Sequence, residues 1–279
     1  MLQGRSLARA AALALLCGFA SVADAQTRAD CEREYTPQRG QDGKDVVWAP
    51  TEDSMLVRML QMARVAPSDK LYDLGSGDGK IPIAAAKHFG ATAVGVEYDS
   101  NLVKHARCLA AADGVQARVT FVEGDIFETD FSDATVVTLY LLPELNLRLR
   151  PTLLAMKPGT RVVSYSFTMA DWEPDDHIDS FGDGSAYFWV VPADAAGRWT
   201  FRPANGGEGF DVELEQRFQK LAGVAGDAKV TGSLQGNEIA FAFMQGAEHV
   251  RIIGTVEPDR ITATVTIGAT STEYAGTRH

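Results

Sequence analysis

Apolar and polar positions alternate along this chain in three different rhythms, and the changes of rhythm divide it. The opening run, residues 10–20 (AAALALLCGFA), is almost uniformly apolar, follows Arg5 and Arg9, and precedes an Ala23-Asp24-Ala25 triplet. It falls short of the roughly 20 residues that span a bilayer. A basic start, a short apolar centre and an A-x-A end mark a secretory signal peptide over 1–25. The expectation is a mature chain from Gln26, secreted or periplasmic and without a membrane span. Residues 26–45 are polar, with Pro37, Gly40 and Gly43, and read as an extended leader.

From 46 to 193 short apolar runs alternate with amphipathic ones. A helix starts at Thr51-Glu52, after Pro50, with Met55, Leu56, Met59, Leu60, Met62 and Ala63 at helical spacing, and Pro67 ends it. Buried strands are predicted over 70–74, 92–97, 118–122, 134–142 and 161–167, with helices over 81–89, 101–112 and 145–156 between them. That alternation predicts a Rossmann-like, doubly wound, mostly parallel α/β sheet. The run Phe188-Trp189-Val190-Val191 either closes this sheet as an antiparallel edge hairpin or starts the next domain. From 194 to 279 the rhythm becomes β-prone, with runs at 198–202, 211–220, 229–233, 238–244, 250–256 and 260–267 separated by glycine, asparagine and proline turns. A small C-terminal all-β domain is expected there, a β-meander or a small, partly open barrel.

Composition narrows the classes. Hydrophobic residues are 46% and charged residues 23% of 279, enough apolar material for a sizeable core. Lys and Arg number 26 against 37 Asp and Glu, a formal charge of -11. Loss of Arg5, Arg9 and Asp24 with the signal leaves 24 basic and 36 acidic side chains, net -12. Such a field repels phosphate backbones, so a nucleic-acid partner is not expected. Cys31 and Cys108 remain after cleavage. An oxidising compartment allows them to pair, and two separate thiols are the other arrangement. The five histidines have no ligand spacing, and no metal site is expected.

The chemistry lies in Asp73-Leu74-Gly75-Ser76-Gly77-Asp78-Gly79-Lys80, between a strand and a helix, where ligands of such sheets bind. A dinucleotide loop is G-x-G-x-x-G and holds a pyrophosphate. Here the third glycine comes one residue early, and Asp73 and Asp78 would repel phosphate. No G-K-[ST] follows, which excludes a P-loop. A ligand with an ammonium group and no phosphate fits, and S-adenosylmethionine meets that description. Glu97 ends the second strand 24 residues after Asp73, near the spacing of an acidic ribose contact. Gly124-Asp125-Ile126 follows the third strand, and Tyr140-Leu141-Leu142-Pro143 ends the fourth.

With these motifs in this order, residues 46–193 resemble the class I S-adenosylmethionine-dependent methyltransferases. The glycine loop and the upstream Ala49-Pro50-Thr51 are most similar to a lysine methyltransferase subgroup that includes mitochondrial carrier-type enzymes. The stretch 140–146 is similar to secreted bacterial relatives. The resemblance implies a cofactor site of Thr51, Asp73, Gly75, Ser76, Gly77, Glu97, Asp125, Ile126 and Tyr140. In it Glu97 accepts from the ribose hydroxyls and Asp125 from the adenine amino group. Tyr140 and Glu144 are the catalytic candidates, and a protein lysine or a small-molecule amine is the expected acceptor. The competing expectation is an exported binding protein, its first domain a scaffold and its β-domain the binder of an apolar ligand or partner.

Overall fold

The computed structural model describes residues 26–180 and 184–279, so the signal segment expected over 1–25 lies outside the described residues. α1 (Arg28–Glu34) starts at a capping box between Thr27 and Asp30. α2 (Asp53–Met62) buries Met55, Leu56, Met59 and Leu60 along one face, the face that the spacing predicts. Then come β1 (Lys70–Leu74), α3 (Lys80–Phe89), β2 (Thr92–Glu97), α4 (Ser100–Ala112), β3 (Val119–Glu123), β4 (Val136–Leu139), α5 (Pro143–Leu154) and β5 (Arg161–Tyr165). A final pair, β6 (Asp176–Ser180) and β7 (Gly184–Val190), completes the first sheet.

That sheet runs in the order β3-β2-β1-β4-β5-β7-β6. β1 to β5 are parallel. β7 lies antiparallel to β5 and β6 antiparallel to β7, so residues 188–190 close the sheet as an edge hairpin. Leu71, Leu74, Val96, Val136, Val137, Leu139, Val162 and Val163 are buried in it. Each such side chain contributes roughly 1.5–3 kcal/mol on leaving water. The chain turns to opposite sides of the sheet about β1 and β4, which opens a crevice above their carboxyl ends.

The fourth strand is shorter than the apolar run 134–142. It stops at Leu139, because Leu142 is an extended N-cap and Pro143 takes the first position of α5. A proline there lacks only an N–H that the helix start leaves unpaired anyway. The helix expected from Leu145 therefore begins two residues earlier.

The second domain holds eight strands where the apolar runs show six: β8 (Gly197–Pro203), β9 (Phe210–Arg217), β10 (Lys220–Ala225), β11 (Ala228–Gln235), β12 (Glu238–Gln245), β13 (Glu248–Glu257), β14 (Arg260–Ile267) and β15 (Thr270–Arg278). Each pairs antiparallel with the next, β15 pairs with β8, and the barrel is closed rather than partly open. The run 211–220 divides because Arg217 pairs with Lys220 around Phe218-Gln219, with Phe218 at φ 55°. Phe218 stacks on Trp172 of the first domain with ring centroids 6.1 Å apart, a tertiary contact that overrides its dislike of the left-handed region. β15 has little apolar patterning, and Gly276 brings its backbone against the Phe201 ring. Trp199, Phe201, Phe241, Ile252, Ile261 and their neighbours pack the barrel interior. Among the described residues no helix is long and apolar enough to cross a membrane.

Candidate functional site

The loop from β1 to α3 is the floor of the site. Gly75, Gly77 and Gly79 have φ of 81°, 53° and 79°, a backbone that side chains resist. The N–H groups of Gly75 and Ser76 both donate to the Val96 carbonyl, at 2.9 Å each, and tie the turn to β2. A Cβ on Gly77 would lie 2.5 Å from Trp48 Nε1, so glycine lets the indole rest on the loop.

Carboxylates surround this floor. Asp73 is 3% exposed, and Thr138 Oγ1 donates to its Oδ1 at 2.7 Å. Burial raises its pKa to about 7; the Thr138 hydrogen bond opposes this, and the charges of Asp78 and Glu97 add to it. Burial also raises Asp78, against the pull of Lys80. Glu97 accepts from Gly77 N through Oε2 and from Asp99 N through Oε1, each at 2.9 Å, so it fixes the loop to the end of β2. Asp125 accepts from Phe127 N at 2.9 Å and from Lys44 Nζ. The Lys44 bond is the main cause that holds the Asp125 carboxyl below the usual carboxylate range. Lys44 Nζ also stands 5.2 Å from the centroid of the Tyr98 ring. Tyr140 lies beyond the end of β4 and meets Tyr165 edge-on, with centroids 4.5 Å apart.

These groups line one cleft of about 920 Å³, part of it open to solvent. Of the residues expected from sequence, Thr51, Asp73, Gly75, Ser76, Gly77, Glu97, Asp125, Ile126 and Tyr140 all line it. Glu144 does not: it is exposed in the first turn of α5. The leader is a part of the site that the sequence pattern does not predict, although its Asp42, Lys44 and Asp45, with Trp48 just after it, form a wall of the cleft. Only the tryptophan just before Ala49-Pro50-Thr51 signals that wall in the sequence. Tyr98 and Leu102 also line the cleft, and no motif marks them.

The donor set fits S-adenosylmethionine. Asp73, Asp78, Glu97 and Asp125 favour a cationic ligand and disfavour phosphate. Ser76 lines the cleft, and its buried Oγ, beside Gly95, has no hydrogen-bond partner among the described residues.

Comparison with known proteins agrees with this geometry. Residues 73–176 match the family described as ANTKMT methyltransferase domain. A protein-lysine N-methyltransferase of Saccharolobus islandicus is 42% identical over 151 residues, 52% of this chain and 94% of that protein. The adenine nucleotide translocase lysine N-methyltransferase of Mus musculus is 33% identical over 140 residues, and the match spans 50% of this chain and 59% of that protein. A solved structure, an RNA methyltransferase from Salinibacter ruber in complex with S-adenosyl-L-homocysteine, is 50% identical with a TM-score of 0.51. That likeness covers 52% of this chain and 95% of the other. With the glycine turn, the acidic strand ends and a relative matched over nearly its whole length, the chain belongs to the class I S-adenosylmethionine-dependent methyltransferases.

Proposed function

We propose that the acceptor is the side-chain amine of a lysine in a protein, and that the enzyme works after export. The observation that carries the first part is the 42% identity to a protein-lysine N-methyltransferase covered over 94% of its length. The acidic cleft supports it, since Asp42 and Asp45 at the leader wall attract a cationic side chain. The basic, then apolar, then A-x-A pattern of residues 1–25 supports export. So does the disulfide between Cys31 and Cys108, a bond that persists in oxidising compartments. That bond answers the pairing the sequence left open.

In this reading the cofactor supplies an electrophilic methyl carbon on a sulfonium. Asp73, Glu97 and Asp125 bind it by its ammonium, ribose and adenine parts. Tyr140 stands at the β4 end, braced by Tyr165, and positions the incoming amine. Methyl transfer needs nucleophile and carbon roughly 3–3.5 Å apart and aligned, so this placement is the main service of the protein. The carboxylates attract the lysine as its ammonium, which gives up a proton to solvent at the open side of the cleft before it attacks. Glu144 lies outside the cleft lining, which leaves Tyr140 alone in this role.

An RNA acceptor is the second reading, because the 50% identical solved structure carries that name. The formal charge of -11 weighs against it. Methyl-labelled cofactor offered to exported proteins and, separately, to total RNA distinguishes the two. Label recovered as methyl-lysine after protein hydrolysis is expected. Label in RNA with none in protein removes the lysine reading.

A further inference from the structure

The leader has no regular secondary structure of its own between α1 and α2, yet it walls the cofactor cleft. What anchors its N-terminal end is covalent. The Cys31–Cys108 disulfide joins α1 to α4 across 77 residues, with Cα atoms 5.7 Å apart. Arg28 and Lys87 both pair with Asp113, at 2.8 and 3.3 Å, beside the same junction. α1 is only seven residues long, too short to be stable without tertiary support.

From that anchor the leader reaches the ligand contacts directly. Gly40 N donates to the Trp48 carbonyl and Trp48 N to the Gln41 carbonyl, both at 2.9 Å, which folds residues 40–48 into a closed loop. Gln41 Nε2 donates at 3.4 Å to Oδ2 of Asp99, the residue whose own N–H donates to Glu97. Lys44 is bonded to Asp125, and the Trp48 indole rests on Gly77. The segment between α1 and α2 thus touches the glycine loop, Asp99 beside the ribose acid, and the adenine acid.

We propose that the Cys31–Cys108 disulfide is a latch that completes the cofactor site, with Lys44 and Trp48 as the positioning residues through which it acts. This rests on the assignment of the cleft to S-adenosylmethionine. Closed, the latch keeps the leader against the glycine loop and gives the enzyme its cofactor affinity. A dithiol opens it: the Sγ–Sγ bond breaks, two cysteine thiols form, and the reductant passes on two electrons and two protons as it becomes a disulfide. Opened, the leader leaves the cleft and affinity falls. On the export reading above, the chain is then competent only where its cysteines are oxidised.

Calorimetric titration of the mature chain, residues 26–279, with S-adenosylhomocysteine tests the latch in three proteins. Reduction of the wild-type chain is expected to raise Kd at least tenfold, and Cys31→Ser/Cys108→Ser to match the reduced protein and ignore the dithiol. The third is Lys44→Ala/Trp48→Leu with the disulfide intact. It is expected to bind weakly from the start and to lose less than threefold more on reduction, because its leader contacts are already gone. Amide exchange at Gly40 and Trp48 is expected to accelerate on reduction while the amides of β1 and β4 stay protected. A reduced wild type that binds within twofold of the oxidised one overturns the proposal. So does a Lys44→Ala/Trp48→Leu protein that loses as much on reduction as wild type, which would mean general loosening of the fold. Failure of the cofactor assignment looks different: the oxidised wild type itself gives no isotherm, and the latch falls with it.

Discussion

Replacing Glu97 by alanine removes a side chain that holds the glycine loop and lines the cleft. Its two oxygens accept from Gly77 N and Asp99 N at 2.9 Å each, and the resemblance gives it the two ribose hydroxyls as well. Hydrogen bonds to a charged acceptor contribute roughly 1.5–3 kcal/mol each. Losing two ribose bonds therefore costs about 3–6 kcal/mol of binding, and about 1.4 kcal/mol is a factor of ten. The expected rise in the Kd for S-adenosylhomocysteine is at least about a hundredfold. The fold should tolerate the change, since Gly75 N and Ser76 N keep their own bonds to the Val96 carbonyl. Calorimetry gives the affinity, and thermal unfolding followed by circular dichroism gives the stability. An affinity within threefold of wild type, with the protein folded, would refute the reasoning and with it the role of Glu97.

The other expectations concern neighbouring parts of the same site. Asp73, with its pKa raised to about 7, binds a cationic ligand best when ionised, so cofactor affinity should rise from pH 6 to 8 in wild type and stay flat in Asp73→Asn. For folding the sign is the reverse: a carboxyl whose pKa lies above its unfolded value of 3.8 withdraws stability as pH climbs from about 4 to about 7. The stability gap between Asp73→Asn and wild type, read by denaturant titration, should therefore widen over that range. Gly77→Ala meets the Trp48 indole and a φ of 53°, a strain of about 1–2 kcal/mol before any displacement. Its tryptophan fluorescence should shift and its cofactor affinity drop at least tenfold. Tyr140→Phe should lower kcat on an identified acceptor with little change in cofactor affinity, and unchanged turnover would remove Tyr140 from the chemistry.

The parts legible in the sequence are those whose signal is local. Asp73, Glu97 and Asp125 each stand at or just after the end of an apolar run, and in a parallel sheet all such ends share one edge. Hence three residues far apart in the chain can be placed around one ligand without any knowledge of their contacts. The leader's place at the cleft is not legible, because residues 26–45 carry no periodicity and a contact such as Lys44 with Asp125 joins residues far apart in the chain. The turn at Phe218-Gln219 has neither glycine nor asparagine, and it is the stacking of Phe218 on Trp172 that supports it. β15 gives no signal because Thr270-Ser271-Thr272-Glu273 has no apolar alternation, and it pairs on both sides to close the barrel. Glu144 is a candidate by proximity in sequence, but the early start of α5 at Pro143 leaves it exposed on the helix surface.

A crystal structure of residues 26–279, with the Cys31–Cys108 disulfide intact and S-adenosylhomocysteine bound, tests the cofactor site most directly. The ligand is expected between the glycine loop and the leader, with its ribose on Glu97, its adenine amino group at Asp125 and its sulfur turned toward Tyr140. A ligand bound anywhere else on the protein, or with its adenine away from Asp125, would contradict this placement.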